Sequence, residues 1–283
     1  MSVIVPTSLA EALVAVAELP SAAVVAGGTD LMVELNAGHR RVESMVVVNR
    51  VPELTTWTHD PAAGRLRIGA GVTWREIERE PIAHLVPALA QAARTVGSPQ
   101  IRHAGTIGGN LGTCSPAGDG LPVLAALDAR IELASLEGVR EVAFADFMLG
   151  PKRNDRKSGE LITAVTVPVL DGWQGYSKVG VRNAMVIATA SASLVVDMAA
   201  RNVRIALGSV GPTILRCPEA EATAKSEVDF DRNSVSESTV AHFADLVRAA
   251  ARPIDDHRST AAYRRHAVGV LAARLLRRAF PND

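Results

Sequence analysis

The sequence predicts an α+β protein built from three modules. Two observations carry that reading. Short apolar runs bounded by glycine or proline recur along the chain, as strands do, but they do not alternate regularly with long helices, which argues against a doubly wound parallel sheet. The last part of the chain instead pairs several strand-like runs with two long stretches of helical periodicity.

Residues 1–52 form the first module. Ser8, followed by Glu11, has the pattern of a capping box, and Leu9, Leu13, Val16 and Ala17 follow at helical spacing. Residues 22–26 (AAVVA) read as a short strand that runs directly into Gly27 and Gly28, and residues 45–48 (MVVV) as a second buried strand ending near Pro52. The second module is 53–168. Residues 65–68 alternate polar and apolar like a half-buried strand. Thr73 and Glu76 repeat the capping-box pattern ahead of a short helix. Helical periodicity over 85–96 stops at Gly97, where a terminating glycine is expected. A glycine-rich loop follows over 105–112, then a helix over 121–127 and strands over 130–134, 139–144 and 161–167. The third module is 169–283, with antiparallel strands at 176–181, 191–197 and 203–208 and helices at 237–251 and 259–279. In the last helix Val268, Leu271, Ala272, Leu275, Leu276 and Ala279 line one face.

Composition excludes several functions. Lys plus Arg and Asp plus Glu number 30 each, so the net charge is zero and nothing marks a nucleic-acid or anionic-membrane surface. No apolar run reaches the roughly 18–20 residues of a membrane span. The N-terminus lacks the basic start, apolar stretch and cleavage site of a signal peptide. A soluble, cytoplasmic protein without membrane insertion is expected. Cys114 and Cys217 stand far apart and form no CxxC, and the histidines form no HExxH, so no metal ligands are expected. Redox chemistry on this chain would need an organic cofactor.

Two segments have the chemistry to hold one. The first is Val25-Ala26-Gly27-Gly28-Thr29-Asp30-Leu31. The second is Thr106-Ile107-Gly108-Gly109-Asn110, with Thr113-Cys114-Ser115-Pro116-Ala117-Gly118-Asp119 downstream. Glycine lets successive N–H groups turn toward one point, making a concave anion site suited to a diphosphate, and Thr and Asn add neutral donors. Neither segment is a GxGxxG fingerprint, and no GxxxxGK[ST] pattern occurs. Two such segments on two modules point to a nucleotide or a flavin.

At these residues the sequence resembles the FAD-binding (medium) subunits of the xanthine dehydrogenase and carbon monoxide dehydrogenase family of molybdenum hydroxylases. The resemblance covers nearly the whole chain. It runs on through SPAGD at 115–119, FMLGP at 147–151, YSKVG at 176–180, CPEAE at 217–221 and YRRH at 263–266. TIGGN joined to SPAGD is its most specific part. The N-terminus lacks the longer aromatic lead of many relatives, and 152–159 is unusually polar.

The resemblance implies an FAD-binding fold of the vanillyl-alcohol oxidase type. Two α+β subdomains would sandwich an extended, noncovalent FAD, and a C-terminal α+β domain like that of carbon monoxide dehydrogenase flavoproteins would cover the ring. It implies that Ala26, Gly27, Gly28, Thr29, Asp30 and Leu31 wrap the diphosphate from one side. Thr106, Gly109, Asn110 and Thr113 would hold it from the other. Asp119 would bond the ribose or adenine end, Ile162 would lie against the flavin, and Lys178 would sit near the isoalloxazine. It also implies no catalytic side chain, and two partners: an iron–sulfur subunit that delivers electrons and a molybdopterin subunit. NAD, oxygen or a quinone would accept the electrons.

On the residues alone, plainer readings stand beside these. Asp119 reads equally as the N-cap of the helix at 121–127. Lys178 reads as a solvated charge on a strand, and Cys114 as a small buried thiol rather than a flavin link. Arg264, Arg265 and His266, with Arg274, Arg277 and Arg278, read as a solvated helix face or a partner-facing one. His39, Arg40 and Arg41 read as a polar turn. Two other functions fit the glycine segments: a free-standing FAD-dependent oxidoreductase with its own small substrate, for which no base is evident, and a non-enzymatic nucleotide-binding module.

Overall fold

In the computed structural model, which describes residues 2–281, the first module is a small parallel sheet. Strands β1 (Ser2–Ile4), β2 (Ala23–Val25) and β3 (Ser44–Val47) lie in the order β1-β3-β2, with helices α1 (Leu9–Glu18) and α2 (Leu31–Asn36) in the crossovers. Ser8 caps α1 by accepting from the Glu11 N–H, but the box is not reciprocal. The Glu11 carboxylate reaches past Ser8 to the Thr7 N–H at 2.7 Å. The edge strand β1 and the helix α2 lie outside the sequence-based expectation.

A five-stranded antiparallel sheet forms the second module. Its strands are β4 (Trp57–Asp60), β5 (Arg65–Gly69), β6 (Arg130–Ser135), β7 (Gly138–Ala143) and, at the centre, the later strand at Leu161–Pro168. Between β5 and β6 run α3 (Trp74–Ile77), α4 (Ile82–Leu85), α5 (Pro87–Thr95), α6 (Pro99–Ala104), α7 (Ile107–Thr113) and α8 (Gly120–Ala126). The helix expected over 85–96 is α5, which starts two residues later, with the separate turn α4 just ahead of it. Val86 leaves helical geometry and Pro87 opens α5 from its first position, where a missing N–H costs nothing. After β7 come the one-turn α9 (Phe144–Phe147) and a hairpin, β8 (Met148–Gly150) and β9 (Arg153–Asn154), before the central strand, now β10.

The third module is a four-stranded antiparallel sheet of β11 (Gln174–Val179), β12 (Ala190–Asp197), β13 (Asn202–Gly208) and β14 (Leu215–Arg216). It is followed by α10 (Pro218–Glu227), α11 (Glu237–Ala250) and α12 (Ala261–Ala279). Side-chain alternation splits this sheet between two cores. Tyr176, Val195 and Ala206 join the core of the second module, while Leu194, Val196, Ile205 and Leu207 join that of α10–α12. With both faces covered, β12 is buried from Ala190 to Val196, Ser191 and Ser193 included. A third, smaller core gathers Ala12, Val16, Val46, Val51 and Leu54.

The expected solvated face of the last helix fails at one residue. Arg264 is not on a solvated face: only 4% of it is exposed. Its guanidinium donates to the carbonyls of Thr189 at 2.7 Å and Ser209 at 3.0 Å, and to Asp256 Oδ1 at 2.6 Å. A helix face turned toward carbonyls and a carboxylate welcomes a planar cation. Arg265 and His266 are exposed, as are His39, Arg40 and Arg41.

Candidate functional site

The first glycine segment leaves β2 and opens α2. Gly28 has φ +69°, the left-handed region that favours glycine, and this turns the chain sharply into the helix. Among the described residues, no protein group accepts a hydrogen bond from the N–H of Gly27, Gly28, Thr29, Asp30 or Leu31. Free donors at a turn that leads into a helix are what an anion needs.

The second glycine segment is not a loop but the helix α7. Thr106 caps it, accepting from the Gly109 N–H at 2.9 Å. The N–H groups of Ile107 and Gly108 donate to the carbonyls of Val72 at 3.1 Å and Ala70 at 2.8 Å, and that of Asn110 to the carbonyl of Thr106. Its first-turn donors are therefore committed inside the protein. What it leaves open is space. A β-carbon on Gly109 would meet only Thr106 Oγ1, at 3.1 Å, whereas one on Gly108 would strike Ala70.

The two segments touch. A β-carbon on Gly27 would stand 1.8 Å from the carbonyl oxygen of Ala104, so only glycine lets the turn pack on the backbone that leads into α7. Thr113, at the end of α7, donates to Asp30 Oδ2 at 3.3 Å. Asn110 lies against the 118–120 segment, and its Oδ1 is buried without a hydrogen-bond partner. Ile162 sits where β10 slips register against β6. Its Cδ1 comes 3.9 Å from the position of a β-carbon on Gly112, bringing β10 to the side of α7.

Asp119 and Lys178, 59 residues apart in sequence, form a buried ion pair at 2.8 Å. Lys178 is no solvated charge: Nζ also donates to the carbonyls of Thr95 at 2.9 Å and Val186 at 3.1 Å. Nor does Asp119 cap α8, since its side chain makes no capping bond. Its Oδ1 accepts instead from the Tyr176 hydroxyl at 2.7 Å. Burial pushes the Asp119 carboxyl up, against the pull of Lys178 and Tyr176 in the other direction. Burial and the adjacent carboxylate push the Tyr176 phenol well above its ordinary range. Tyr176 was not singled out in sequence. The available signal was strand alternation, which puts it on the same face as Lys178 two residues on.

Cys114 ends α7 in a left-handed conformation, buried, and burial pushes its thiol up to about 11. It is a packed thiol rather than a reactive one. No group of three or more His, Cys, Asp or Glu among the described residues is placed to hold a metal ion. None of the helices there is long and apolar enough to cross a membrane.

A turn with unclaimed backbone donors, packed on the backbone that leads into a glycine-bearing helix, has the geometry to receive an anionic group. Comparison with known proteins gives the family. Residues 1–170 match the FAD binding domain in molybdopterin dehydrogenase, and residues 176–279 match the CO dehydrogenase flavoprotein C-terminal domain. The chain belongs to this family of FAD-dependent oxidoreductase subunits. It is 33% identical over 251 residues to the glyceraldehyde dehydrogenase medium chain of Sulfolobus acidocaldarius, covering 87% of this chain and 86% of that one. It is 29% identical to the carbon monoxide dehydrogenase medium chain of Hydrogenophaga pseudoflava, covering 97% and 95%. In structure it is similar to a chain of the reconstituted CO dehydrogenase from Oligotropha carboxidovorans, with a TM-score of 0.91, 28% identity and coverage of 100% and 98%. The residues present fit FAD. The free N–H groups at 27–31 suit a diphosphate, and Gly109 leaves the room that a side chain would fill.

Proposed function

We propose that this chain is the electron-transfer subunit of a cytoplasmic, hetero-oligomeric molybdenum hydroxylase. FAD, when bound, supplies two-electron redox chemistry between the iron–sulfur clusters of one partner and NAD, oxygen or a quinone, while a molybdopterin subunit carries the substrate site. The relatives named as medium chains and FAD subunits support this reading.

The protein's own part is binding and orientation. Gly27 to Leu31 donate to the diphosphate, with Ala26 as the lead into the turn. Thr106, Gly109, Asn110 and Thr113 form the opposite wall. Ile162 and Lys178 border the ring end, and Asp119 acts through Lys178 as much as directly. We assign the subdomains to 1–52 and 53–168 and the covering domain to 169–283.

One observation carries the choice of electron transfer over substrate oxidation. The acidic side chain buried at the site is already engaged, with one oxygen on Tyr176 and the other on Lys178. A flavoenzyme acting on its own substrate needs a base within hydrogen-bond reach of it. The test is purification of the chain with its co-expressed partners, read by visible spectrum and by iron and molybdenum analysis. A complex containing FAD, iron and molybdenum is expected. A lone chain that oxidises a small organic substrate at useful rates would overturn the proposal in favour of a free-standing oxidoreductase.

A further inference from the structure

Residues 180–188 join β11 to β12 as a loop, closed at its foot by the Thr189 N–H, which donates to the carbonyl of Val179 at 2.8 Å. Above that foot no core holds it in place: Val181 is 69% exposed, Met185 55% and Ile187 52%. Inside the loop, the Arg182 guanidinium donates to the carbonyl of Met185 at 2.5 and 3.2 Å, and Val186 folds over Gly180 where a β-carbon would block it. These contacts shape the loop without fixing it to anything else. Among the described residues, a single hydrogen bond reaches 180–188 from outside. It runs from Lys178 Nζ to the carbonyl of Val186 at 3.1 Å.

An ammonium group has three N–H donors, and that of Lys178 has three acceptors. Besides Val186 they are the carbonyl of Thr95, at the end of α5, at 2.9 Å, and Asp119 Oδ2, just ahead of α8, at 2.8 Å. Lys178 therefore joins two elements of the second module to a loop of the third, and it keeps no proton for another ligand. Its side chain is only 8% exposed, and Asp119, itself bonded by the Tyr176 hydroxyl, balances its charge there.

We propose that Lys178 is a positioning residue, which clasps the 180–188 loop to the FAD-binding modules and acts on the flavin only through that loop. The inference rests on the reading that puts Lys178 at the ring end of the cofactor. A cation whose donors are all engaged, and whose charge is opposed by a carboxylate at 2.8 Å, has little to give a flavin directly. What it controls is where the loop stands, and so whether Val181, Met185 and Ile187 close the ring end.

The experiment reads the loop through its own exposed trypsin site, Arg182, in the full chain with FAD bound and after FAD is stripped by salt. Cleavage after Arg232, on a separate exposed turn, is followed in the same digest as a measure of global unfolding. The variant pairs Lys178→Met with Asp119→Asn, which removes both charges and strands neither. In wild type, FAD is expected to slow cleavage after Arg182. The double variant is expected to keep its FAD and to be cut after Arg182 at least tenfold faster, with the rate after Arg232 unchanged. Its FAD is expected to give that site no protection. Cleavage of the variant at the wild-type rate overturns the clasp and leaves the ring-end reading standing. Equal acceleration at both sites also overturns it, because the pair then serves general stability. Loss of FAD from the variant overturns it by making Lys178 or Asp119 a direct contact. A wild-type loop indifferent to FAD overturns the ring-end reading, and with it the role toward the flavin.

Discussion

The segment at 26–30 and the helix capped by Thr106 both carry paired glycines, and Gly27 packs on Ala104 at the end of α6, just ahead of that helix, yet their backbone donors have opposite fates. In the first, Gly28 bends the chain and the N–H groups from Gly27 to Leu31 stay unclaimed. In the second, Val72, Ala70 and Thr106 take the donors of the first turn. One segment offers hydrogen bonds; the other is a satisfied platform that offers space. Paired glycines in a sequence therefore do not by themselves mark an anion nest. They also mark places where two backbones, or a backbone and a ligand, must come close.

The largest effect is expected where the segments meet. Gly27→Ala places a β-carbon inside the Ala104 carbonyl, and since both sides are backbone, no rotamer relieves the clash. A loss of about 3 kcal/mol is expected, with purified protein nearly free of FAD, read by thermal melting and by the flavin-to-protein absorbance ratio. A stable, fully yellow variant would show that the segments do not pack as described. Gly109→Asp separates binding from folding. Its β-carbon meets Thr106 Oγ1, the hydroxyl that caps α7, at 3.1 Å, while an acidic residue in the first turn suits the helix dipole, so the variant should fold with a stability loss of about 1 kcal/mol. The carboxylate would face the diphosphate, and FAD affinity should fall at least a hundredfold, about 2.7 kcal/mol. Full FAD content in the folded variant would remove α7 from the binding wall.

What the sequence revealed and hid follows from the range of the interactions. The caps at Ser8 and Thr73 were legible because a hydroxyl and an N–H three residues on settle them. Strand β5 was legible from its alternation of polar and apolar residues, and β10 and β12 from their clustered branched aliphatics. Helix α7 was not, because Gly108, Gly109 and Gly112 are poor helix formers. Contacts from Ala70 and Val72 impose the helix from outside. Arg264 was misread because its partners at Thr189 and Ser209 lie 75 and 55 residues away. Helix α10 was missed because its polar sequence buries only Ala220 and Ala224; Pro218 and the glutamates after it were the usable signal. The pairing of Lys178 with Asp119 had no local trace at all.

The tie between the two segments is a smaller matter. Thr113→Val removes one hydroxyl bond of 3.3 Å to Asp30, in an exposed setting. A loss of roughly 0.5–1 kcal/mol is expected, with FAD affinity reduced less than tenfold in a titration. A hundredfold loss would mean that Thr113 contacts the cofactor itself rather than steadying Asp30.

The smallest effect is expected at Cys114, a side chain of nucleophilic type at the junction of platform and site. Burial holds its proton on to about pH 11, so at neutral pH it is a thiol and not a nucleophile. Its Sγ donates weakly to the carbonyl of Arg153 at 3.4 Å, a bond that a hydroxyl can also make. Its left-handed backbone, φ +51°, is equally demanding of cysteine and serine and adds no difference. Cys114→Ser should therefore shift stability by no more than about 1 kcal/mol and leave FAD content unchanged. Acid precipitation of wild type and variant should release all the yellow colour into the supernatant. Colour that stays in the wild-type pellet and disappears from the pellet of the serine variant would make the thiol a covalent anchor, and the platform a chemical participant after all.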